Sequence, residues 1–210
     1  RPLIIATLVG TATSAMAADT GWYVAADFGQ SKVNETKGDI DDALTSAPVT
    51  GLASSFDDSD RSYGLVAGYQ LNKNFAIEGG YIDLGKFNYS ATFTGGAFGP
   101  GSVDAELKAS AWKISLVGIL PINDSFSLNA KLHGLYSHTE VEASGVASGV
   151  PGTASGSDHS WDLGYGVGLE YKFTPQWSVR GNLDRYSKVG SNDTGEDDYD
   201  VWSVGLKYNF

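Results

Sequence analysis

The sequence predicts an all-β protein, an eight-stranded antiparallel up-and-down transmembrane β-barrel. Three observations predict it: eight runs of alternating apolar and polar residues, a strict alternation of short and long connections, and the similar segments VGLEYKF at 167–173 and VGLKYNF at 204–210. Alternation with period two is the pattern of a strand whose two faces meet different surroundings. Short turns at one edge and long loops at the other are typical of outer-membrane barrels.

The eight runs and their connections divide the chain as follows. The runs cover residues 21–33, 61–71, 75–89, 105–120, 125–142, 159–173, 177–189 and 198–210. The short connections are 72–74, 121–124 and 174–176, and the long ones are 34–60, 90–104, 143–158 and 190–197. We therefore expect the barrel's two chain ends on the periplasmic side and four long loops outside the cell.

The two faces of the runs favour lipid outside the barrel. In the sixth run one face carries Leu163, Tyr165, Val167, Leu169, Tyr171 and Phe173, and the other carries Asp162, Gly164, Gly166, Gly168, Glu170 and Lys172. A small soluble barrel would bury the apolar set, but here that set is crowded with aromatic residues near the strand ends, as in membrane barrels. Because hydrocarbon leaves an open sheet edge unsatisfied, the last run is expected to pair with the first.

The start of the chain predicts export. Residues 1–17, RPLIIATLVGTATSAMA, have the basic start, apolar stretch and small-residue cleavage site of a signal peptide, truncated at its start. Residues 18–210 then form the barrel, in the cell outer membrane. The net charge of −11 argues against a nucleic-acid partner, whose phosphates require a basic surface. The absence of cysteine excludes a disulfide framework and thiol chemistry.

Three segments resemble a known family. AGYQLNKNFAIEGGYIDLG at 67–85, VGLEYKFTPQWSVR at 167–180 and the terminal VGLKYNF are similar to the eight-stranded outer-membrane proteins typified by the OmpA transmembrane domain. The resemblance covers about residues 18–210. It implies that Leu206, Tyr208 and Phe210 form the signal that the barrel-assembly machinery reads. Full-length OmpA proteins continue into a peptidoglycan-binding domain, and since this chain ends at the barrel we expect no cell-wall tethering.

The polar face of the runs carries a candidate lumen network. It comprises Glu78, Lys131, Glu170 and Arg180. A turn centred on Pro175 puts Glu170 directly opposite Arg180, and we expect the two to pair, because buried charges require partners. The family implies a further basic residue where Val117 stands, with Lys113 nearby. The resemblance suggests a gating or plugging network, while the alternative is a structural ion-pair core without conduction.

Other candidate sites are weaker. His133 is expected in the lumen, and His138 and His159 flank the third long connection, but two histidines without a Cys or carboxylate cluster make a poor zinc site. A lipid A-modifying enzyme of this fold would use a serine and a histidine, and the candidate residues are the neighbours in Ser137-His138 and Asp158-His159-Ser160. The G-x-G of residues 164–168 lies inside an alternating run, which excludes a nucleotide loop. We expect no catalytic residue, cofactor or metal.

The long connections predict the surface chemistry. Residues 34–60 carry seven acidic side chains against Lys37, so they form either a solvated, repulsive surface or weak divalent bridges to lipopolysaccharide phosphates. Residues 144–157, SGVASGVPGTASGS, are expected to be a flexible loop. The expected protein is a monomeric structural surface barrel, with a low-conductance gated pore as a finer possibility and a lipid A-modifying or lipid-binding barrel as the alternative. Expected partners are outer-membrane lipid, lipopolysaccharide and a surface ligand or phage.

Overall fold

The structure is a computed structural model that describes residues 20–34, 49–96, 99–191 and 195–210. The expected signal peptide, residues 1–17, lies outside the described residues, as do residues 35–48 of the first long connection. Within the described ranges no helix is long and apolar enough to cross a membrane. Strands and the turns between them make up the regular structure of these residues.

The described residues form eleven strands, eight of them long. In chain order they are β1 (Gly21–Val33), β2 (Val49–Thr50), β3 (Ala53–Asp57), β4 (Ser59–Asn72), β5 (Phe75–Phe93), β6 (Gly95–Gly96), β7 (Gly101–Pro121), β8 (Phe126–Ala147), β9 (Val150–Lys172), β10 (Trp177–Ser191) and β11 (Gly195–Asn209). β3 pairs with β5 beyond the end of β4, and β2 pairs with β6. The turns β4–β5, β7–β8 and β9–β10 lie at one end of the barrel, called here the short-turn end; the opposite end is the long-connection end.

The eight long strands close into a ring. Each pairs antiparallel with its neighbours in the order β1-β4-β5-β7-β8-β9-β10-β11, and β11 pairs again with β1. The closing register sets Val24 opposite Tyr208, and the N–H of Phe210 donates to the carbonyl of Trp22 at 3.0 Å. The predicted all-β fold, an eight-stranded antiparallel up-and-down barrel, is confirmed.

Bulky apolar side chains face outward in two aromatic belts. The belt toward the long-connection end contains Phe28, Tyr63, Tyr81, Trp112, Tyr136, Trp161 and Trp202. The belt toward the short-turn end contains Trp22, Tyr69, Phe75, Phe126, Tyr171, Trp177 and Phe210. Rings of neighbouring strands touch, as Trp22 and Tyr69 do with centroids 5.2 Å apart. Trp161 is 79% exposed, an arrangement that an apolar surrounding favours and water does not.

Two of the predicted long loops are strands in the structure. Residues 90–93 and 101–104 extend β5 and β7, and residues 143–147 and 150–158 extend β8 and β9. The expectation of a flexible loop at 144–157 is therefore wrong. The two strands are joined there by a tight hairpin turn, in which Ser148 and Gly149 take φ of 50° and 80°. A turn with two positive φ values matches the twist of the strands that it joins. Residues 138–147 and 150–159 are called the β8–β9 arm below.

The closing strand generates the first prediction. Tyr208 packs its ring 4.8 Å from that of Trp177, and Phe210 continues the pairing with β1. Changing Tyr208 and Phe210 together to Ser should slow insertion and closure, because the last strand loses its aromatic anchors at the seam. The measurement is heat-modifiable migration on a gel during refolding into lipid vesicles, since a closed barrel resists detergent until it is heated.

The control for this prediction removes aromatic area at the other belt. Tyr136→Ser with Trp161→Ser takes two outward rings from β8 and β9, far from the seam. Closure that slows equally in both double variants would contradict a special role for the last strand.

Candidate functional site in the barrel lumen

Arg180 is the centre of the polar lumen. It lies on the inward face of β10 and is 3% exposed. Its Nε and Nη2 donate to the two carboxylate oxygens of Asp27 at 2.8 and 2.5 Å, and its Nη1 donates to Oε1 of Glu78 at 2.8 Å. The planar guanidinium thus binds one carboxylate in two-point fashion and a second one through its other nitrogen, a geometry that lysine cannot reproduce.

Glu78 gathers three partners at the same level. Besides Arg180, the hydroxyl of Tyr23 donates to its Oε1 at 2.9 Å, and Nζ of Lys131 lies 3.8 Å from its Oε2. Lys131 also donates to Oδ1 of Asn182 at 2.9 Å. These side chains, from β1, β5, β8 and β10, are called the ionic layer: Tyr23, Asp27, Glu78, Lys131, Arg180 and Asn182.

The expected pairing of Glu170 with Arg180 is wrong, although their register is right. The two residues are direct cross-strand partners, but Glu170 binds Nζ of Lys207 at 3.1 Å and accepts a bond from Ser178 at 2.7 Å. The physical reason is reach: the long Arg180 side chain extends past its strand neighbour to Asp27 and Glu78 across the lumen. Glu170 stays nearer the short-turn end, where Lys207 lies over the ring of Tyr23.

Of the four predicted network residues, the structure brings Glu78, Lys131 and Arg180 into one contact set and places Glu170 in a neighbouring pair. Asp27 and Lys207 are the partners that the sequence analysis missed. Both stand in the first and last strands, where the alternation already places them on the inward face. A Cβ at Gly205 would lie 2.0 Å from Oδ1 of Asp27, so this glycine leaves the space that the carboxylate occupies.

A second polar set lies next to the ionic layer. His133 faces the lumen as expected and is 2% exposed. Its Nδ1 lies 2.7 Å from Oγ of Ser115 and its Nε2 lies 3.2 Å from Oδ1 of Asp184. The residue types match a nucleophilic triad, but in such a triad the serine contacts Nε2 and the carboxylate Nδ1. All three side chains are buried, so the contacts satisfy lumen polar groups.

Apolar side chains fill the lumen beyond these groups, toward the long-connection end. This apolar layer comprises Val33, Ile82, Leu84, Phe87, Ala109, Ala111, Leu135, Tyr186, Val189, Tyr199 and Val201. Tyr186 and Leu135 are 0% exposed. The hydroxyl of Tyr186 accepts a hydrogen bond from Nζ of Lys113 at 3.3 Å, which ties this layer to the polar groups below it. The remaining cavity at the ionic layer is about 10 Å³, the least space that holds one water.

Strand alternation separates the serine and histidine neighbours that the sequence had singled out. Ser137 faces the lumen, where its hydroxyl contacts Ser160 and the carboxylate of Asp162. His138 and His159 face outward and meet each other, with ring centroids 4.3 Å apart. Adjacent residues of one strand point to opposite faces, so neither Ser137-His138 nor His159-Ser160 forms a dyad.

Carboxylates at the long-connection end form exposed ion pairs. Lys32 lies 3.1 Å from Asp58, and Arg185 lies 3.0 Å from Asp198. The hydrogen bond from Arg185 lowers the pKa of the Asp198 carboxyl. Glu35, Asp39, Asp41 and Asp42 lie outside the described residues. In the part of the chain that is described, no group of three or more His, Cys, Asp or Glu side chains is placed to hold a metal ion.

A closed ring of eight antiparallel strands, with aromatic belts outside and paired charges within, defines a β-barrel membrane protein. The chain belongs to the outer membrane protein beta-barrel domain family, whose model matches residues 3–210. It is an outer-membrane protein.

Two comparisons with sequences support this assignment. The chain is 29% identical over 208 residues to outer membrane protein A of Yersinia pseudotuberculosis, which covers 97% of this chain and 53% of that protein. It is 28% identical over 210 residues to outer membrane protein A of Serratia marcescens, covering 97% of this chain and 54% of the relative. The chain thus spans about half the length of the curated relatives it matches.

Solved structures show the same fold. The attachment invasion locus protein Ail of Yersinia pestis, in complex with the heparin analogue sucrose octasulfate, matches with a TM-score of 0.54, 19% identity and coverage of 91% of this chain and 99% of Ail. Neisserial surface protein A matches with a TM-score of 0.50, 19% identity and coverage of 90% of this chain and 97% of that protein. These similarities support the barrel fold and do not transfer a ligand.

The ionic layer generates the second prediction. Arg180→Met should cost about 3–5 kcal/mol of unfolding free energy, because it leaves the buried carboxylate of Asp27 without its cation and removes one of the two cations beside Glu78. A double-mutant cycle of Glu78→Gln with Arg180→Met should give a coupling of about 0.5–3 kcal/mol, the range for residues in one network. The measurement is urea unfolding of the refolded barrel in lipid vesicles.

The cycle of Glu170→Gln with Arg180→Met is the matched comparison. It removes the same two kinds of charge from direct cross-strand partners that do not touch. A coupling larger than that of the Glu78 cycle would contradict the contacts described and restore the pairing expected from the sequence.

Proposed function

We propose that the protein is a structural surface barrel of the outer membrane, which anchors and displays extracellular β-strands. The observation that carries the proposal is the double closure of the lumen, by the ionic layer and by the apolar layer. The cavity between Tyr23, Glu78, Lys131 and Arg180 is about 10 Å³, and eight-stranded barrels have interiors just wide enough for side chains to fill. A filled barrel is a stiff support whose exposed parts interact with other molecules.

A low-conductance gated pore is the finer form of this proposal. It is supported by the position of Glu170, which stands opposite Arg180 in register while its carboxylate is held by Lys207. Movement of Arg180 from Glu78 toward Glu170 would rearrange the ionic layer while Glu78 kept Lys131 as a neighbouring cation. Ions would still meet the apolar layer, and apolar constrictions gate by excluding water. Any opening therefore requires both layers to move.

The acidic surface shapes the partners that we propose. Ail was solved with a sulfated heparin analogue, whereas this chain has a net charge of −11 and would repel such a polyanion. Surface partners are instead cationic ligands, or lipopolysaccharide phosphates joined through divalent cations. Leu206, Tyr208 and Phe210 serve as the assembly signal, and a monomer suffices because the ring leaves no edge in the membrane.

We propose no enzymatic role. The serine-histidine-carboxylate contact of Ser115, His133 and Asp184 is buried inside the barrel, where a lipid cannot reach the serine. The serines next to His138 and His159 face away from them. The geometry therefore gives no support to a lipid A-modifying barrel, and incubation of purified lipid A with the protein should leave its mass unchanged.

The lumen closure generates the third prediction. Leu135→Ala with Tyr186→Ala should raise the frequency of channel openings several-fold, because it removes two fully buried side chains from the apolar layer. Single-channel recording in planar bilayers measures the effect, beside a wild type that should conduct rarely and weakly.

The control removes the same residue types from the outward face of the barrel instead of the lumen. Leu163→Ala with Tyr165→Ala removes the same two residue types from the lipid-facing side of β9, where they are 74% and 56% exposed. Equal openings in both double variants would assign the effect to general loosening of the barrel. A steadily conducting wild type would overturn the proposal of a closed structural barrel.

A further inference from the structure

The outward face of the β8–β9 arm carries a histidine pair just beyond the extracellular aromatic belt. His138 and His159 are direct cross-strand partners, and their rings lie 4.3 Å apart, centroid to centroid, at 31°. Tyr136 stacks on His159 from the other side, with centroids 5.4 Å apart. These are two of the three histidines in the whole sequence, and the third, His133, is buried in the lumen.

The ring of His138 is held in a form that suits a metal ion. Its Nε2 lies 3.1 Å from Oε1 of Glu140, so an Nε2–H donates to the carboxylate and Nδ1 keeps its lone pair. This assigns the tautomer from the hydrogen bond. Metal-binding histidines in proteins are characteristically arranged in this way, with one nitrogen on the metal and the other donating to a carboxylate.

A second, independent observation concerns the other ring nitrogen. Nδ1 of His138 is buried and has no hydrogen-bond partner among the described residues. A buried polar atom without a partner costs free energy, and an ion that accepts its lone pair removes that cost. The strand pairing that continues from the membrane into the arm fixes the two histidines opposite each other.

We propose that His138 and His159 form a binding site for a divalent transition-metal ion, with Glu140 as the residue that positions His138. Imidazole nitrogens suit Zn²⁺, Cu²⁺ and Ni²⁺. A zinc–nitrogen bond is about 2.0–2.1 Å and lies in the plane of the imidazole ring. The two rings lie partly stacked, so each must rotate to turn a nitrogen toward one ion, and the rotation of His138 also uncovers its Nδ1. Water completes the coordination, because the site faces outward and supplies two protein ligands.

The position of the pair gives the ion a mechanical consequence. β9 pairs with β10 over residues 163–172. Residues 150–162 of β9, which include His159, continue to pair with β8. An ion that joins His138 to His159 therefore fastens the two strands at the base of the arm. Metal in the extracellular medium would stiffen the part of the protein that projects from the membrane.

The experiment titrates the refolded full chain with Zn²⁺ alone, by isothermal titration calorimetry in detergent. One ion per barrel should bind in the tightest step, and H138Q with H159Q should abolish that step. E140Q should weaken it about 10- to 100-fold, the usual effect of removing such an orienting carboxylate. In the wild type, nitrogen NMR should show a zinc-induced shift at Nδ1 of His138 while Nε2 stays protonated.

The matched control moves one histidine by a single outward position. H159Q with S157H keeps three histidines and places the new one opposite Glu140 instead of His138. Zinc affinity should fall by at least tenfold in this variant. Equal tightest-step affinity in the wild type and either double variant overturns the proposal, and gel migration before and after heating verifies that each variant is folded.

Hydrogen exchange supplies a readout that does not depend on calorimetry. Zn²⁺ should slow amide exchange in residues 138–147 and 150–159 of the wild type and leave the H138Q, H159Q variant unchanged. Exchange slowed equally in both proteins would place the zinc elsewhere, on the acidic surface, and overturn the assignment to the histidine pair.

Discussion

Satisfaction of backbone hydrogen bonds in hydrocarbon is the constraint on which the rest of the structure depends. A sheet in lipid has no water for its edges, so the first and last strands must pair. The pairing of β1 with β11 meets this requirement. Its register keeps the inward and outward residues of the two strands on matching faces, so one inner and one outer surface run around the whole ring. The outward residues then form the aromatic belts, and the inward residues are confined to a narrow lumen.

That confinement determines the chemistry of the interior. Charged groups in a narrow, poorly hydrated space require partners, and one arginine neutralises carboxylates from two different strands. Arg180 connects β10 to β1 through Asp27 and to β5 through Glu78, so it links strands that are not all neighbours in the ring. The ionic layer therefore braces the wall internally, and the apolar layer beyond it completes the filling.

The fold could be predicted from the sequence because strand alternation and turn spacing act locally. The run 21–33 coincides with β1. Glu170 lies opposite Arg180 as expected, because the length of a short turn fixes which residues of the two strands face each other. Which charges touch could not be predicted, because a long side chain such as Arg180 spans the lumen to residues far away in sequence. The β8–β9 arm was missed for another reason: its small residues resemble a loop, while the strands below impose the pairing.

The interior of the barrel is filled and the arm is exposed, so the two regions differ in which polar side chains can meet a ligand. Inside the barrel, the serine, histidine and aspartate that contact one another use their polar atoms in hydrogen bonds to each other and are buried from solvent. On the outward face of the arm, the same alternation brings His138 and His159 together. Because the closed ring holds β8 and β9 in register below the arm, His138 and His159 are direct cross-strand partners before any ligand binds.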